Sequence, residues 1–219
     1  MSAAATPTAS PPAAPAGSFV RSLLFPGVFV LAYSIAAAAY CLSIGNHEFL
    51  FYVAVMLVLG CMIAGIHRAA RFSTACLWAL AFWGLAHMAG GLIKVPGQTG
   101  VLYNLWLVGS GYGRGIKYDN LAHAYGFGVA TWAAWQCLRR SLADPAPRFA
   151  PLFAAVMIGE GLGALNEIIE FSATRIMPKT NVGDYANNAW DLVFNLAGCI
   201  LAAVLIRIGS PRVRERRGR

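Results

Sequence analysis

The stretch 49-FLFYVAVMLVLGCMIAGI-66 runs for 18 positions without a charged residue. A helix needs roughly 20 apolar residues to cross a bilayer, so this stretch has the length and composition of a membrane span. Five further apolar blocks of similar length occupy residues 23–44, 73–93, 119–138, 150–171 and 190–208. Inside a bilayer, backbone N–H and C=O groups must pair within their own segment, which favours helices. The sequence therefore predicts an all-α polytopic membrane protein with six transmembrane helices.

Composition excludes an ordinary soluble domain. Hydrophobic residues make up 58% of the chain and charged residues only 12%, whereas soluble domains carry about 25% charged residues. The five cysteines form no CxxC pair, and each lies in or at the end of an apolar block. We interpret them as small packing residues and expect neither a disulfide framework nor a thiolate metal site.

Both ends of the chain differ from the apolar middle. Residues 1–20 open with MSAAATPTASPPAAPAGS, which has no charge and too little hydrophobicity to bury a core, so we expect a disordered tail. This segment also lacks the basic start and apolar core of a signal peptide. We assign the six-helix membrane domain to residues 21–208 and a basic tail to residues 209–219.

The basic residues indicate partners and orientation. The net charge is +8, and 211-PRVRERRGR-219 holds five arginines next to an apolar block. In this position they indicate membrane topology and attraction to anionic lipid, so we expect lipid partners and no nucleic acid. With six spans, twelve of the 17 Lys and Arg residues fall on the side of the two termini. The positive-inside rule then places both termini in the cytoplasm, so we expect a multi-pass protein of the cell inner (cytoplasmic) membrane.

Ionisable residues inside the spans mark candidate functional positions, because their burial in a membrane is costly. Spans three to six place most of them near the non-cytoplasmic side. Asp119 and His123 are four residues apart and share a helix face. Glu160 is the exception, near the middle of span five. The remaining members of this predicted group are His87, Glu167, Glu170, Asp191 and Asn195.

Each of these residues also has a structural interpretation. Asp119 and Asp191 lie in first turns, where an acid caps the helix and suits its dipole. Glu167 and Glu170 lie near a helix C-terminus, where the dipole disfavours negative charge. A cation must therefore compensate them, and Arg175, Lys179 and a metal ion are the candidates.

A metal ion accounts for the group as a whole. Carboxylates combined with imidazole are ligands for Zn²⁺, Mn²⁺ or iron. We hypothesise a divalent metal site with Asp119, His123, Glu167 and Asp191 as ligands. A network of carboxylates that share protons is the main alternative.

Small residues extend the polar faces and permit close approach of helices in membranes. They predict that spans four to six pack together with their polar groups inward. The residues concerned are Gly126 and Ala130, Gly163 and Ala164, and Gly198 and Ala202.

The order of these motifs resembles a known family. The segments 119-DNLAH-123, 167-EIIEF-171 and 184-DYANNAWDLVFNLAG-198 are similar to those of YjdF-type bacterial inner-membrane proteins and, more remotely, of the VanZ-like superfamily. The resemblance covers residues 118–205. VanZ-like proteins are associated with resistance to lipoglycopeptide antibiotics, so the resemblance implies a setting in the cell envelope.

Three functions remain in competition. In the first, an enzyme at the outer leaflet acts on a lipid headgroup or envelope precursor. Glu167 or Glu170 is then general base or metal ligand, and His123 is ligand or proton shuttle. In the second, the polar group locks the helices of a non-catalytic structural or partner subunit. In the third, Glu160 is the coupling acid of a small proton-coupled transporter.

Overall fold

The computed structural model describes residues 16–96, 100–142, 146–177 and 180–210. Within them the chain forms six α-helices, which is the predicted number of helices. The helices are α1 (Ala16–Ile44), α2 (His47–Ala70), α3 (Thr74–Leu92), α4 (Tyr118–Ser141), α5 (Phe149–Ile176) and α6 (Tyr185–Gly209). A 3-10 turn, Leu102–Asn104, and two antiparallel strands, β1 (Trp106–Val108) and β2 (Ile116–Lys117), connect α3 to α4.

Five of the six helices are long and apolar enough to cross a membrane. The exception is α4, which is long enough, at 24 residues, but less apolar than its neighbours. Its polar side chains Asp119, Asn120, His123 and Gln136 are buried inside the protein. The low hydropathy of α4 thus reflects its position in the bundle, where it contacts mainly other helices and not lipid.

Several helices extend beyond the apolar blocks that predict them. Helix α1 already begins at Ala16, so the expected disordered segment 1–20 is too long by at least five residues. Residues 1–15 and the arginine-rich segment 211–219 lie outside the described residues. A helix can continue past the lipid-facing segment because each added residue gains a backbone hydrogen bond.

The start of α6 also differs from the prediction. The sequence suggests a polar turn up to residue 189, but the helix begins at Tyr185. The Asp184 carboxylate caps it by accepting a hydrogen bond from the backbone N–H of Asn187 at 2.9 Å. This cap places Asn187 and Asn188 on the first helical turn, where their side chains point toward α4 and α5 instead of into a loop.

The connections define two ends of the helix bundle. We call the end with strands β1 and β2 the hairpin end; the starts of α4 and α6 and the end of α5 also lie there. The opposite end, the arginine end, carries Arg139 and Arg140. Arg140 Nε donates to the carbonyl of Ala70 at 2.6 Å, so the end of α4 lies beside the α2–α3 connection.

Helices α4 and α6 run parallel and approach each other closely. A Cβ added at Gly198 would collide with the backbone carbonyl of Ala124, and one added at Gly128 would lie 3.0 Å from the Gly198 carbonyl. The small residues on α4 that allow this contact are therefore Ala124 and Gly128. The expectation for Gly126 is wrong, because that residue packs against Trp83 of α3.

Helix α5 packs antiparallel against both of these helices. A Cβ at Gly159 would meet Thr131 of α4 and Cys199 of α6, and one at Gly163 would meet Asn195 of α6 at 2.7 Å. The glycines on α5 thus allow this helix to pack closely against the α4–α6 pair. The predicted packing of spans four, five and six is confirmed in this respect.

Replacing Gly198 by alanine tests the close contact between α4 and α6. Gly198→Ala is expected to lower the free energy of unfolding by about 1–3 kcal/mol, because the new methyl group overpacks the contact. The matched control is Gly161→Ala on α5, where a Cβ would meet nothing within 4 Å. Thermal unfolding in detergent should show a lower Tm for Gly198→Ala only. Equal Tm values for the two variants would contradict the packing.

Candidate functional site

A group of polar side chains fills the hairpin end between α4, α5 and α6, and we call it the polar cluster. It lies just below the helix ends: Asp191 is six residues into α6, or roughly 9 Å at 1.5 Å per residue. Asp191 and Asn195 are completely buried. The members are Lys117, Asp119, Asn120, His123, Glu167, Asn187, Asn188, Asp191 and Asn195.

Asparagine side chains join α4 to α6. Asn187 Nδ2 lies 2.5 Å from Asp191 Oδ2 and 3.4 Å from Asp119 Oδ2, so it donates toward both carboxylates. Asn120 Nδ2 donates to Asp191 Oδ1 at 3.3 Å. Lys117 Nζ donates to Asn187 Oδ1 and lies 3.8 Å from Asp119 Oδ2. The two aspartates are therefore held by neighbouring amides and one ammonium group.

His123 is the centre of the cluster and contacts all three helices. Its Nδ1 lies 3.0 Å from Asn195 Oδ1 on α6 and 3.5 Å from Glu167 Oε1 on α5. Its Nε2 lies 3.7 Å from Asp119 Oδ1, one turn away on α4. An amide oxygen only accepts hydrogen bonds, so Asn195 favours a proton on Nδ1 and leaves Nε2 directed toward Asp119.

Glu167 has one satisfied and one unsatisfied oxygen. Oε2 accepts a hydrogen bond from Asn188 Nδ2 at 2.6 Å. Oε1 is buried and has no hydrogen-bond partner within the part of the chain that the structure describes. Since Glu167 is 96% buried, this oxygen is a basic group held near His123 without a donor of its own.

Three residues of the cluster offer ligand atoms that could hold one metal ion. Single ligand atoms of Asp119, His123 and Asp191 all lie within 4.8 Å of one another. Around a tetrahedral Zn²⁺ ion with bonds of about 2.0–2.2 Å, two ligand atoms lie about 3.3–3.6 Å apart. The widest of these separations must therefore close by about 1–1.5 Å around such an ion, a change that side-chain rotation supplies.

The charged groups in and next to the cluster do not balance. Four carboxylates, those of Asp119, Glu167, Glu170 and Asp191, face two cationic candidates, Lys117 and His123. Even with His123 protonated, two negative charges remain uncompensated, and unpaired charge is costly in a buried site. A divalent cation or bound protons would remove this cost.

Of the cations expected from the sequence, the structure tests only Arg175, which is exposed and forms no ion pair among the described residues. Lys179 lies outside the described residues. The cationic side chain that does reach the cluster is Lys117, at the end of β2, beside Asp119. Its ammonium group also lies 5.1 Å from the ring centre of Tyr112 and 5.9 Å from that of Trp106. Both aromatic faces favour a cation there.

Burial and nearby carboxylates raise the hydroxyl pKa values of two tyrosines in the α3–α4 connection. The pKa of the Tyr112 hydroxyl is raised by burial, and then by Asp184, Asp191 and Asp119. The pKa of the Tyr103 hydroxyl is raised well above its usual value by burial, and further by Asp119 and Glu170. Both hydroxyls therefore stay protonated and available as hydrogen-bond donors.

Glu170 and His87 border a small cavity next to the cluster. The cavity volume is about 20 Å³, enough for one water molecule or one ion, and Asp119 also lines it. Tyr103 closes one side, with its hydroxyl 2.5 Å from His87 Nδ1. Asn166 Nδ2 donates to Glu170 Oε1 at 2.9 Å. The structure thus places Glu170 and His87 beside Asp119.

Glu160 lies apart from the other predicted residues. It is seven residues before Glu167, which corresponds to roughly 10 Å along α5. Its Oε2 is buried and has no hydrogen-bond partner among the described residues. Glu160 therefore does not belong to the polar cluster.

Sequence reasoning missed Lys117, Asn120 and Tyr103, and it placed Asn187 and Asn188 in a polar turn above the site instead of on the first turn of α6. Lys117 and Asn120 flank Asp119, and Asn120 Oδ1 caps the start of α4 by accepting from Lys117 N at 3.0 Å. A sequence signal existed for Asn187, because Asp184 three residues earlier is a typical helix cap. Tyr103 gave no comparable signal.

A family match covers most of the chain. The model of the family described as "Predicted membrane protein (DUF2238)" matches residues 25–211. The chain belongs to this family. The DUF2238 match includes the whole polar cluster and every helix except the start of α1. No curated protein and no solved structure matches the chain. The comparisons therefore establish a DUF2238 membrane protein without assigning it an activity.

Removal of the Lys117 ammonium group tests the charge balance of the cluster. Lys117→Met is expected to destabilise the DUF2238 protein by about 3–5 kcal/mol, because it leaves a buried carboxylate without its partner. Lys94→Met is the matched control, since Lys94 is exposed at the same end of the bundle. Thermal unfolding in detergent measures the difference. A Tm for Lys117→Met equal to that of Lys94→Met would contradict a structural role for the ammonium group.

Proposed function

We propose that this DUF2238 protein is a membrane enzyme that binds a divalent metal ion in the polar cluster. The observation that carries the proposal is the arrangement of Asp119, His123 and Asp191 within 4.8 Å. Next to them stands the Glu167 oxygen that has no hydrogen-bond partner among the described residues. A buried set of ligands together with a buried base is typical of hydrolytic metal sites.

The donor atoms favour a particular class of ion. Two carboxylates and one imidazole suit Zn²⁺, Mn²⁺ or Fe²⁺ better than Mg²⁺ or Cu⁺. His123 would bind through Nε2, because Asn195 holds its Nδ1 at 3.0 Å. Such a contact to the second ring nitrogen fixes the orientation of a metal-binding histidine. Asn120 and Asn187 would orient Asp191 in the same way.

The proposed chemistry is hydrolysis or group transfer assisted by the metal ion. A bound ion of this kind lowers the pKa of a water molecule and polarises a carbonyl or phosphoryl oxygen. Glu167 would accept the proton from that water, since its Oε1 is buried and close to His123. Glu170 and His87 would line the cavity through which water reaches Asp119.

The depth of the cluster supports a lipid substrate. The hydrocarbon core is about 30 Å thick within a bilayer of about 40–45 Å, so headgroups begin near the helix ends. Asp191 lies only six residues inside α6, close to this boundary. We therefore propose a lipid headgroup or lipid-linked envelope precursor as substrate. The resemblance to YjdF-type and VanZ-like proteins supports this envelope role and the bacterial inner membrane.

A structural role is the second candidate, favoured by the satisfied contacts of Asp191. Both of its oxygens accept amide hydrogen bonds, and the residue is completely buried. In that case the cluster would lock α4 to α6 in a non-catalytic subunit. The transporter alternative depends on Glu160, whose Oε2 has no hydrogen-bond partner among the described residues.

Metal analysis of the purified protein separates these functions. We expect about one Zn, Mn or Fe ion per chain, as a three-residue site of this kind binds one ion. His123→Gln and Asp119→Asn should lose it. Asp184→Asn, a change of the same kind at an exposed cap, should retain it. Inductively coupled plasma mass spectrometry provides the measurement, and no metal in the wild-type protein would contradict the proposal.

Function in cells gives an independent test of the residue roles. A deletion strain complemented with Glu167→Gln is expected to keep the deletion phenotype although the variant folds. Glu160→Gln is the matched control on the same helix and should complement. The opposite pattern would favour the transporter. A lower Tm for Glu167→Gln with full complementation would favour the structural subunit.

The proposed position of the site in the outer leaflet is tested by cysteine labelling. Ser110→Cys in the hairpin should react with a membrane-impermeant maleimide on intact cells, since Ser110 is exposed at the hairpin end. Ala69→Cys, exposed at the arginine end, should react only after the membrane is opened. The reverse pattern would place the polar cluster on the cytoplasmic side.

A further inference from the structure

A second feature of the molecule lies away from the polar cluster. A groove of about 680 Å³ runs between α4 and α6 toward the arginine end, and no described residue of α5 lines it. Its floor consists of small residues, Ala124 and Gly128 from α4 and Gly198 and Ala202 from α6. From Ala124 to Arg139 the groove is roughly 20 Å long, at 1.5 Å per residue.

The groove changes character along its length. Trp132, Leu201 and Leu205 supply apolar walls along the small-residue floor. At the arginine end the lining becomes polar, with Arg139 and Gln136 on α4. An apolar channel that ends in one basic group near the membrane surface matches an amphiphile with a long apolar part and an anionic head.

We propose that this groove binds one anionic phospholipid from the leaflet at the arginine end. An acyl chain would lie on the floor of Gly128, Gly198 and Ala202, and the phosphate group would lie beside Arg139. This site is separate from the metal site in position and in chemistry. It therefore does not depend on the proposed enzymatic function.

The dimensions of the groove favour a lipid chain over a helix from another protein. Its volume falls within the roughly 300–1,000 Å³ range of small-molecule sites. A helix with its side chains is about 10–12 Å across, so over a length of roughly 20 Å it occupies at least about 1,500 Å³ and cannot be enclosed by the groove. An acyl chain is much thinner and can lie within it.

The charges at the arginine end favour an anionic headgroup. Arg139 is exposed, and none of the ion pairs among the described residues involves it. The adjacent polar groups already have partners: Gln136 Oε1 accepts from Ser73 N at 2.7 Å, and Arg140 donates to Ala70 O. Basic residues near a membrane surface attract anionic lipid by about 1 kcal/mol each.

Native mass spectrometry of the full chain from lipid nanodiscs tests the proposal. The probes are phosphatidylglycerol, which is anionic, and phosphatidylcholine, which is zwitterionic. The wild-type protein is expected to retain one phosphatidylglycerol molecule in preference to phosphatidylcholine. Arg139→Gln should reduce this preference about fivefold, the effect of losing one cationic contact. Arg207→Gln, an exposed arginine on α6 outside the groove, should leave the preference unchanged.

A variant that fills the groove gives the second arm of the test. Ala202→Phe places a ring on the floor and should abolish lipid retention, whereas Ile200→Phe on the lipid-facing side of α6 should not. Thermal unfolding confirms that both variants are folded, and Arg139→Gln tests the site without altering packing. Equal retention by Ala202→Phe and Ile200→Phe, or by Arg139→Gln and Arg207→Gln, would overturn the proposal. A wild-type dimer that Ala202→Phe dissociates would assign the groove to a second copy of the chain instead.

Discussion

The burial of carboxylates between helices of a membrane protein is the constraint on which the rest of this structure depends. Asp119, Glu167 and Asp191 are each at least 92% buried, so their charges must be compensated inside the bundle. This requirement explains why α4 is less apolar than its neighbours. It also explains why a strand from the α3–α4 connection ends in Lys117, whose ammonium group reaches Asp119 and Asn187.

The parts of the fold that depend on local sequence were predictable. Apolar length gave the six helices, and the four-residue spacing of Asp119 and His123 gave their shared face, with His123 Nε2 3.7 Å from Asp119 Oδ1. The residues that were missed depend on the rotation of one helix against another. Gly128, and not Gly126, contacts α6 because the parallel approach turns that side of α4 toward Gly198. Periodicity alone does not distinguish two faces that both carry small residues.

The α4–α6 pair is polar on the hairpin side of its close contact and largely apolar on the other side. At Gly198 the helices come near enough to exclude a side chain, and this contact separates the polar cluster from the arginine end. Toward the hairpin, amides and carboxylates face each other between the helices. Toward the arginine end, small residues of the same pair form the apolar floor of a groove. One packing contact thus positions both proposed sites.

We propose that Asp119, His123 and Asp191 are ligands of one metal ion, and the interpretation of the polar cluster as an active site depends on that ion. Anomalous X-ray scattering from crystals, recorded on both sides of the Zn, Mn and Fe absorption edges, locates such an ion directly. We expect a single anomalous peak about 2.0–2.2 Å from His123 Nε2 and from one oxygen of each aspartate. A map in which these atoms enclose only water, or in which Lys117 Nζ fills the space between the two aspartates, would contradict it.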